Sequence, residues 1–398
     1  MPFSTAEIDA FRKETPACQE VIHFNNAGAA LQPLNVQKVV NDHLALEYRL
    51  GGYEAAAIRA EQSAGFYPIF ARLLNAKPSE IAFASSATDA YNRALSAIPF
   101  QEGDLILTTE NDYVSNQIAF LQIQKRHGAK LKIAPESEVG GVDIERMQEL
   151  IRTLHPKLVA VTHMPTSNGL IQDVYAIGKT CQAENITYLV DACQTAGQVP
   201  LDVQAMGCDF LSATCRKFLR GPRGTGFLFV SERIIKKGWA PQYLDLHSAL
   251  WTAYDKFEPQ LDARRFELWE RNHAMVQGAS AAADYALSVG LDRVAEYTQQ
   301  IAASLREQLS ELPQIQITDQ GKKLGAIVTF HIPEQDPQVL LQQLRAASIH
   351  GSISWGDYAR YDMGRKAVPW VLRWSPHYYN TIEEVEKATK KIFKIICC

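Results

Sequence analysis

Several features that mark large classes of protein are missing from this 398-residue sequence. No apolar run approaches the ~20 residues that a membrane-spanning helix needs, so no membrane partner is expected. The first residues have neither the basic start nor the apolar core of a signal peptide, which predicts a cytoplasmic protein. The net charge is −4 and no long basic run occurs, so nucleic acid is not expected as a partner.

The cysteines form none of the patterns typical of a metal or redox site. There are seven, an odd number, and no two are spaced as CxxC, so we predict no metal site. We interpret Cys181, Cys193 and Cys208 as buried thiols. Cys397 and Cys398 end the sequence and are interpreted as a frayed tail, with redox or metal binding there as a minor alternative.

Hydrophobic residues make up 46% of the sequence, enough for a large core in roughly two or three domains. We predict an N-terminal segment at 1–20, a large domain at 21–259 and a smaller α+β domain at 260–398. Near the second boundary, residues 247–270 are rich in aromatic and charged side chains. These side chains are expected either to shape a pocket or to form a dimer interface.

Strands and helices alternate through the first of these domains. Apolar runs predict strands starting at 81 and at 104–109, 130–134, 158–162, 187–190 and 226–230, with helices at 113–127, 144–154 and 175–185 between them. Strand runs without polar alternation, separated by helices, indicate an α/β fold with a parallel or mixed sheet covered on both faces. Ligands of such sheets bind at the carboxyl ends of the strands. Polar clusters are expected at that edge at 86–88, 111–113, 163–168, 191–194 and 216–217.

One of these clusters, at 86–88, follows a strand and opens a helix. The N–H groups of such a helix start, beside Ser and Thr hydroxyls, can bind a phosphate. The stretch 81–95 has neither GxGxxG nor GKS/T, so a nucleotide loop is not supported. An ordinary helix N-cap at Ser86 or Thr88 explains this cluster equally well when it is taken alone.

An acid and a lysine frame the most informative stretch. Asp191 follows the apolar run 186–190, and Lys217 lies in a polar, glycine-rich segment just before the run 226–230. Such groups can face each other across a sheet edge, which suits a cofactor with a basic ring nitrogen and an aldehyde. We therefore hypothesise pyridoxal 5′-phosphate (PLP), bound covalently by Lys217. Arg220 and Arg223 make the setting cationic, which lowers a lysine pKa and favours the neutral amine.

The segments described so far resemble those of fold-type I PLP enzymes in the class V aminotransferase family. This family includes cysteine desulfurases, isopenicillin N epimerase-like proteins and C–S lyases. The resemblance spans essentially the whole sequence and is carried by residues 25–28, 86–88, Asn168, 191–194, 216–217 and Arg373. It implies a large domain with a mostly parallel, seven-stranded sheet covered by helices, a smaller α+β domain and a homodimer.

The resemblance also implies a role for each matching residue. Lys217 would bind the cofactor aldehyde, Asp191 the pyridine nitrogen, and Gln194 and Asn168 the ring hydroxyl. Tyr113 would stack on the ring, where the desulfurases have histidine. Four residues would hold the phosphate: Ala87, Thr88, Thr214 and Arg216.

The substrate implied by this family is a small amino acid. Arg373 would clamp its carboxylate with two hydrogen bonds, and Asn26 would lie near that carboxylate.

The sequence departs from the family pattern at two places, which bear on the expected reaction and on a contact with the partner subunit. Cysteine desulfurases carry a nucleophilic cysteine ahead of the carboxylate-binding arginine, whereas residues 352–361 contain none, which disfavours a persulfide mechanism. Many relatives have a threonine after Arg-Phe-Glu that reaches the partner's phosphate. Here Leu268 follows Glu267, which puts that contact in doubt.

Residues 50–55, 216–226 and 375–380 are most similar to the hercynylcysteine sulfoxide lyase-like branch, which serves ergothioneine biosynthesis. This resemblance implies β-elimination from a cysteine S-conjugate or its sulfoxide, releasing a thiol or sulfenate product, pyruvate and ammonia. The alternatives are a class V aminotransferase, an epimerase, a cysteine desulfurase or a PLP-fold binding protein without catalysis.

Overall fold

Short strands and longer helices alternate along the chain in the computed structural model, which describes residues 2–397. The strands are β1 (Ile22–His23), β2 (Ile81–Ala84), β3 (Leu105–Thr108), β4 (Lys130–Ile133), β5 (Leu158–Thr162), β6 (Thr187–Asp191), β7 (Phe210–Thr214), β8 (Gly226–Val230), β9 (Ala249–Ala253), β10 (Lys256–Pro259), β11 (Gln316–Ile317), β12 (Val328–His331), β13 (Ile349–His350), β14 (Ser352–Trp355) and β15 (Trp370–Trp374).

The helices are of very different lengths. They are α1 (Thr5–Lys13), α2 (Leu34–Leu50), α3 (Gly52–Ile58), α4 (Ala60–Ala64), α5 (Phe66–Leu74), α6 (Ala87–Ala97), α7 (Val114–His127), α8 (Ile144–Leu154), α9 (Val174–Ala183), α10 (Val203–Met206), α11 (Glu232–Lys236), α12 (His273–Val289), α13 (Leu291–Ser310), α14 (Pro337–Ala346), α15 (Arg360–Arg365) and α16 (Ile382–Ile396).

A seven-stranded sheet has the order β2-β8-β7-β6-β5-β3-β4. Its strands run parallel except β8, which is antiparallel to both β2 and β7. Strands β5 to β8 are buried along their whole length, as expected when helices cover both faces. The predicted α/β fold with a mostly parallel seven-stranded sheet is therefore confirmed.

Strand β7 was not predicted, and it explains how Lys217 reaches the expected edge of the sheet. Its sequence alternates apolar residues with Ser212 and Thr214, so it lacks the continuous apolar run of its neighbours. It pairs in parallel with β6, and Asp191 is in register with Ser212. Lys217 therefore follows β7 on the loop leading back to β8. Asp191 and Lys217 reach the same edge because two parallel neighbours end there.

The Ala-rich sequence of residues 55–74 predicts one helix, but the chain forms three short helices there, α3, α4 and α5. The third begins at Phe66 after Gly65 and contains Pro68 in its first turn. In a continuous helix the Pro68 ring would clash with the carbonyl of Ala64, so a new helix starts just before the proline. The β9–β10 hairpin, antiparallel and largely exposed, was also not predicted.

A second, antiparallel sheet has the order β11-β12-β15-β14 and positions Arg373 on a central strand. Strand β1 pairs in parallel with β13, which joins the N-terminal region to this part of the chain. Helix α12 packs against α2 and α5. The proposed division at residues 20 and 259 stays a prediction. Within residues 2–397, no helix is both long and apolar enough to cross a membrane.

Candidate active site

A pocket opens at the carboxyl edge of the main sheet, next to the start of α6. It is lined by most of the predicted site residues: Ala87, Thr88, Tyr113, Asp191, Gln194, Thr214, Arg216 and Lys217. Three predicted residues, Asn26, Asn168 and Arg373, are buried and do not line this pocket.

The start of α6 lies at the pocket, where the sequence suggests a phosphate cradle, and it has the ordinary cap. Ser86 is the N-cap, and its hydroxyl accepts a hydrogen bond from Asp89 N at 3.1 Å. Gly226 lets β8 approach closely, because a Cβ there would lie 2.9 Å from Ala87 N and 2.7 Å from the Ser86 carbonyl carbon. The first-turn N–H groups of Ala87 and Thr88 lie at the pocket, suited to an anion.

Lys217 is buried on a tight loop after β7. Its carbonyl accepts from Arg220 N at 2.8 Å, which fixes the loop around the lysine. Burial is the main cause that lowers the pKa of the amine, and the charges of Arg216 and Arg373 lower it further against the opposing effects of Cys193 and Asp191. The lowered pKa favours the neutral amine, the form that can attack an aldehyde or accept a proton.

Asp191 lines the same pocket and is held by two donors. Its Oδ1 accepts from Cys193 N at 2.9 Å, and its Oδ2 accepts from Asn116 Nδ2 at 3.1 Å. Asn116 was missed by the sequence analysis. It lies in the first turn of α7, three residues after Tyr113, and that spacing on a helix start could have revealed it.

Gln194 lines the pocket as predicted, but Asn168 does not. Gln194 Nε2 donates to Ala27 O at 3.2 Å and to Thr166 Oγ1 at 3.1 Å. Its Oε1 is buried and has no hydrogen-bond partner among the described residues. Asn168 Oδ1 instead accepts from the backbone N–H of Leu170, which stabilises the loop after β5. Thr166, from the same sequence cluster, lines the pocket next to Gln194.

Arg373 lies on β15, with its guanidinium beside this same loop. Its Nη1 donates to the Thr166 carbonyl at 3.1 Å, and Nη2 is 3.5 Å from Asn25 Oδ1. Burial, followed by the charge of Arg216, lowers the pKa of Arg373 to about 10. The amide next to the Arg373 guanidinium is thus that of Asn25 rather than that of the predicted Asn26. The side chain of Asn26 donates to Ser375 O at 2.7 Å and holds the chain together behind the site.

The cysteines differ from the prediction in one respect. Cys181 and Cys208 are buried, as predicted, but Cys193 is only half-buried and lines the pocket. Desolvation raises the pKa of the Cys193 thiol, so the protonated form is favoured. Cys397 is exposed, and Cys398 lies outside the described residues.

Residues 352–361 form β14, a 3₁₀ turn and the start of α15, with no cysteine. In the part of the chain that the structure describes, no group of three or more His, Cys, Asp or Glu side chains could hold a metal ion.

The residues present fit pyridoxal phosphate. The helix start suits its phosphate, the unpartnered Gln194 Oε1 suits a hydroxyl donor, and Asp191 suits a protonated ring nitrogen. Lys217 is desolvated and close enough to Asp191 for the acid to influence its pKa. The fold and this pocket together define a fold-type I PLP enzyme.

The chain belongs to the class V aminotransferase family: the family model described as "Aminotransferase class-V" matches residues 21–388. A probable cysteine desulfurase of Pyrococcus abyssi is 27% identical over 387 residues, covering 94% of each chain. A probable cysteine desulfurase of Methanothermobacter thermautotrophicus is 26% identical over 389 residues, also covering 94% of each. The structure of a cysteine desulfurase from Thermococcus onnurineus superposes with a TM-score of 0.90 at 26% identity, covering 98% of both chains.

These similarities confirm the predicted family, fold and cofactor, and an enzyme of the PLP-dependent carbon–sulfur lyase type. The relatives named here are cysteine desulfurases, and none of them supports the narrower resemblance to hercynylcysteine sulfoxide lyases. The roles assigned to individual site residues stay predictions.

Proposed function

We propose that this enzyme cleaves the Cβ–S bond of a cysteine S-conjugate or its sulfoxide by β-elimination, releasing a thiol or sulfenate product, pyruvate and ammonia. One observation carries the proposal: the pocket has groups for the cofactor and Arg373 beside Thr166 suits an amino-acid carboxylate, but residues 352–361 carry no nucleophilic cysteine. Within cysteine S-conjugates, hercynylcysteine sulfoxide is the candidate that the sequence resemblance implies.

The reaction begins with the placement of the substrate. Arg373 binds the carboxylate, and the low dielectric around this buried guanidinium strengthens the contact. Bound pyridoxal phosphate supplies an aldehyde and an electron-withdrawing ring, which acidify the Cα–H bond of the attached amino acid. Lys217 Nζ accepts the Cα proton, a role favoured by the lowered pKa of its amine. Asp191 holds the ring nitrogen protonated.

The departing sulfur needs a proton donor when the leaving group is a thiolate. Tyr113 lines the pocket and lies close enough to Arg373 to influence its pKa. Its phenol is the candidate donor in this proposal, and a substrate-facing group is the alternative.

Cysteine desulfurase is the second candidate, because the named relatives carry that description. That reaction needs a thiolate to attack the substrate sulfur. Among the described cysteines, Cys193 is the one that lines the pocket, and burial raises the pKa of its thiol. Its amide N–H is also bonded to Asp191, the residue proposed to hold the ring nitrogen. The structure therefore supports elimination better than persulfide transfer.

Product analysis distinguishes these reactions. We expect pyruvate and ammonia in equal amounts when the holoenzyme is incubated with S-substituted cysteines or their sulfoxides, and no alanine. Alanine with protein-bound sulfane sulfur from L-cysteine would instead establish the desulfurase. Consumption of α-ketoglutarate without pyruvate or thiol would indicate an aminotransferase, and Cα deuteration with racemisation in D₂O an epimerase. No turnover of any amino acid would favour a binding protein.

The homodimer expected from the resemblance is also a proposal. Large apolar side chains are exposed around the β9–β10 hairpin, among them Tyr243 (81%), Trp251 (77%) and Tyr254 (100%). Exposed aromatic clusters of this kind mark protein interfaces. Light scattering should give twice the chain mass of 44.4 kDa. A monomer at micromolar concentration would contradict the proposal. Residence in the cytoplasm stays a prediction.

A further inference from the structure

A second buried acid lies directly behind Asp191. Asp112 precedes α7 and is buried at the end of β3. Asn116 connects the two carboxylates, because its Nδ2 donates to Asp112 Oδ1 at 2.9 Å and to Asp191 Oδ2 at 3.1 Å. A single amide group thus shares its two hydrogens between two acids. Asp191 lines the pocket, whereas Asp112 does not.

Asp112 also organises other groups around the pocket. Its Oδ1 accepts from Tyr113 N at 2.7 Å and from Thr162 Oγ1 at 2.5 Å, while Oδ2 accepts from Thr108 Oγ1 at 2.7 Å. Tyr113, Thr162 and Asn116 all line the pocket. One buried carboxylate therefore positions three pocket-lining residues that come from two different elements.

A buried charge on Asp112 lowers the stability of the fold, so its presence calls for a physical explanation. Burial raises its pKa to about 6, although the hydrogen bonds from Thr162, Asn116 and Thr108 lower it. The carboxylate accepts all four of its hydrogen bonds, which favours its ionised form, and it forms no salt bridge within residues 2–397. Asparagine would fill the same space and accept the hydrogen bond from Tyr113 N without burying a charge. That hydrogen bond alone therefore does not account for an acid at this position.

We propose that Asp112 is a positioning residue: through Asn116 it aims the Asp191 carboxylate at the pyridine nitrogen of the cofactor, and its charge strengthens protonation of that nitrogen. The inference rests on the proposed contact between Asp191 and the ring. A second negative charge behind Asp191 makes a proton on the ring more favourable. The other titratable group facing both acids is Tyr91, whose hydroxyl is buried without a hydrogen-bond partner among the described residues.

The ring nitrogen itself provides the test. Apo protein is loaded with pyridoxal phosphate labelled with ¹⁵N in the ring, and the ¹⁵N chemical shift is followed over a pH titration. In Asp112→Asn, which retains size and an Oδ1 that can accept from Asn116, we expect the pKa of the ring nitrogen to fall by about one unit. The Kd for the cofactor should rise about tenfold, because a weaker ion pair holds the ring.

Asn111→Ala is the matched control. Asn111 is a buried amide next to Asp112, but its Nδ2 donates to Glu136 and it is not bonded to either acid. Its removal is expected to lower the melting temperature and leave the ring titration as in the wild type. An unchanged ring titration in folded Asp112→Asn would overturn the proposal, whatever happens to the melting temperature, because a purely structural role predicts that result.

Asn116→Ala tests the proposal if Asp112→Asn does not unfold cooperatively. In Asn116→Ala the Asp191 carboxylate keeps only the donor from Cys193 N, and the cofactor Kd should rise about tenfold. A wild-type Kd in that variant would overturn the proposal.

Asp191→Ala separates this inference from the contact on which it rests. If Asp191→Ala leaves the ¹⁵N shift unchanged, the assigned ring contact fails, and the role of Asp112 fails with it. If Asp191→Ala changes the shift and Asp112→Asn does not, only the role of Asp112 is wrong. None of these readouts depends on which carbon–sulfur bond the enzyme cleaves.

Discussion

Arg373 Nη1 donates to the backbone carbonyl of Thr166 at 3.1 Å, which ties β15 to the loop after β5. Thr166 in turn accepts from Gln194 in the pocket. The guanidinium is buried and bound by neutral oxygens rather than by a carboxylate within residues 2–397. A desolvated cation with neutral neighbours is suited to bind an incoming carboxylate.

Arg373→Lys should therefore raise the KM for S-substituted cysteines about 100-fold, because lysine offers a point charge in place of a two-point contact. The absorption spectrum of the bound cofactor should not change. Steady-state kinetics and the spectrum check both expectations. Arg360→Lys is the control, since Arg360 is exposed on α15 and pairs with Asp357. An unchanged KM in Arg373→Lys would contradict the assigned role.

Lys217→Ala should abolish covalent attachment of the cofactor and lower the elimination rate about 1,000-fold or more. After borohydride reduction, intact-mass measurement should show the cofactor on the wild type and not on this variant. Lys236→Ala, an exposed lysine on α11 that pairs with Glu232, should behave as the wild type. Cofactor mass retained on Lys217→Ala would place the attachment at another lysine.

The sequence predicted elements best where one local signal was strong. Strands 158–162 and 226–230 and helix 144–154 have the predicted bounds, because continuous apolar runs and an N-cap at Asp143 mark them. Helix α16 starts after Thr381, where Glu383 and Glu384 predict an acidic first turn, and Thr381 and Glu384 form a capping box. Strand β7 gave no such signal, since Ser212 and Thr214 interrupt its apolar residues.

The site was predictable as a set of strand ends but not as a set of side-chain directions. Asp191, Gln194 and Lys217 follow strands that end at one edge, so topology alone brings them together. The choice between Thr166 and Asn168 depends on which side chain of one loop points into the pocket. That direction follows from the backbone path of the loop after β5, and spacing in the sequence does not determine it.

Gly226→Ala should disturb the phosphate cradle. An added Cβ would approach Ser86, Ala87 and Ala213 backbone atoms at 2.7 to 2.9 Å, so α6 must shift away from β8. We expect a loss of about 2 kcal/mol of folding stability and a cofactor Kd at least about tenfold higher. Urea unfolding of the apo protein and cofactor titration measure these.

The control for this change is Gly52→Ala in α3, where an added Cβ meets nothing within 4 Å. It should be neutral or slightly stabilising, because alanine lowers the entropy of the unfolded chain. Wild-type cofactor affinity in Gly226→Ala would argue against a cradle at this helix start.

Arg220 ties the lysine loop to distant parts of the chain. Its Nε donates to Leu31 O at 2.9 Å, Nη1 to Tyr378 Oη at 2.6 Å and Nη2 to Thr15 Oγ1 at 2.5 Å. The guanidinium carbon also lies 4.6 Å from the centre of the Tyr379 ring. This buried cation is thus satisfied by neutral acceptors and aromatic faces.

Arg220→Ala should lower the free energy of unfolding by about 3 kcal/mol, because three acceptors, two of them buried, lose their donor. Arg220→Lys should recover less than half of this lost free energy, since an ammonium group cannot reach all three acceptor oxygens. Urea unfolding at fixed pH checks both variants. Arg223→Ala removes an exposed arginine from the same loop and is expected to change stability by less than about 0.5 kcal/mol. Equal effects at the two positions would contradict the proposed role of Arg220.

Stability should fall with acid because several histidines are buried in the neutral form. His377 is fully buried, with Nε2 2.7 Å from Phe218 O and Nδ1 accepting from Tyr378 N, and burial lowers its pKa to about 3. Burial lowers the pKa of His163 to about 3 as well. The unfolded chain, with histidine pKa values near 6.5, binds more protons between about pH 3 and 6.5. The contribution of these histidines to the free energy of unfolding is therefore fully present above pH 6.5, and it is lost as the pH falls from 6.5 towards 3.

Each such histidine contributes about 2 kcal/mol of this loss between pH 6.5 and 5. Asp112 acts in the opposite direction, because its raised pKa of about 6 adds stability as the pH falls towards 4. The destabilising effect of the two histidines exceeds the stabilising effect of the single acid, so the free energy of unfolding falls as the pH is lowered. Urea unfolding at pH 7.5 and 5.0 should show it, and His377→Gln should reduce the difference by about 2 kcal/mol. The exposed His155→Gln should leave the difference unchanged. The same pH dependence in His377→Gln and the wild type would show that His377 is not a source of the acid sensitivity.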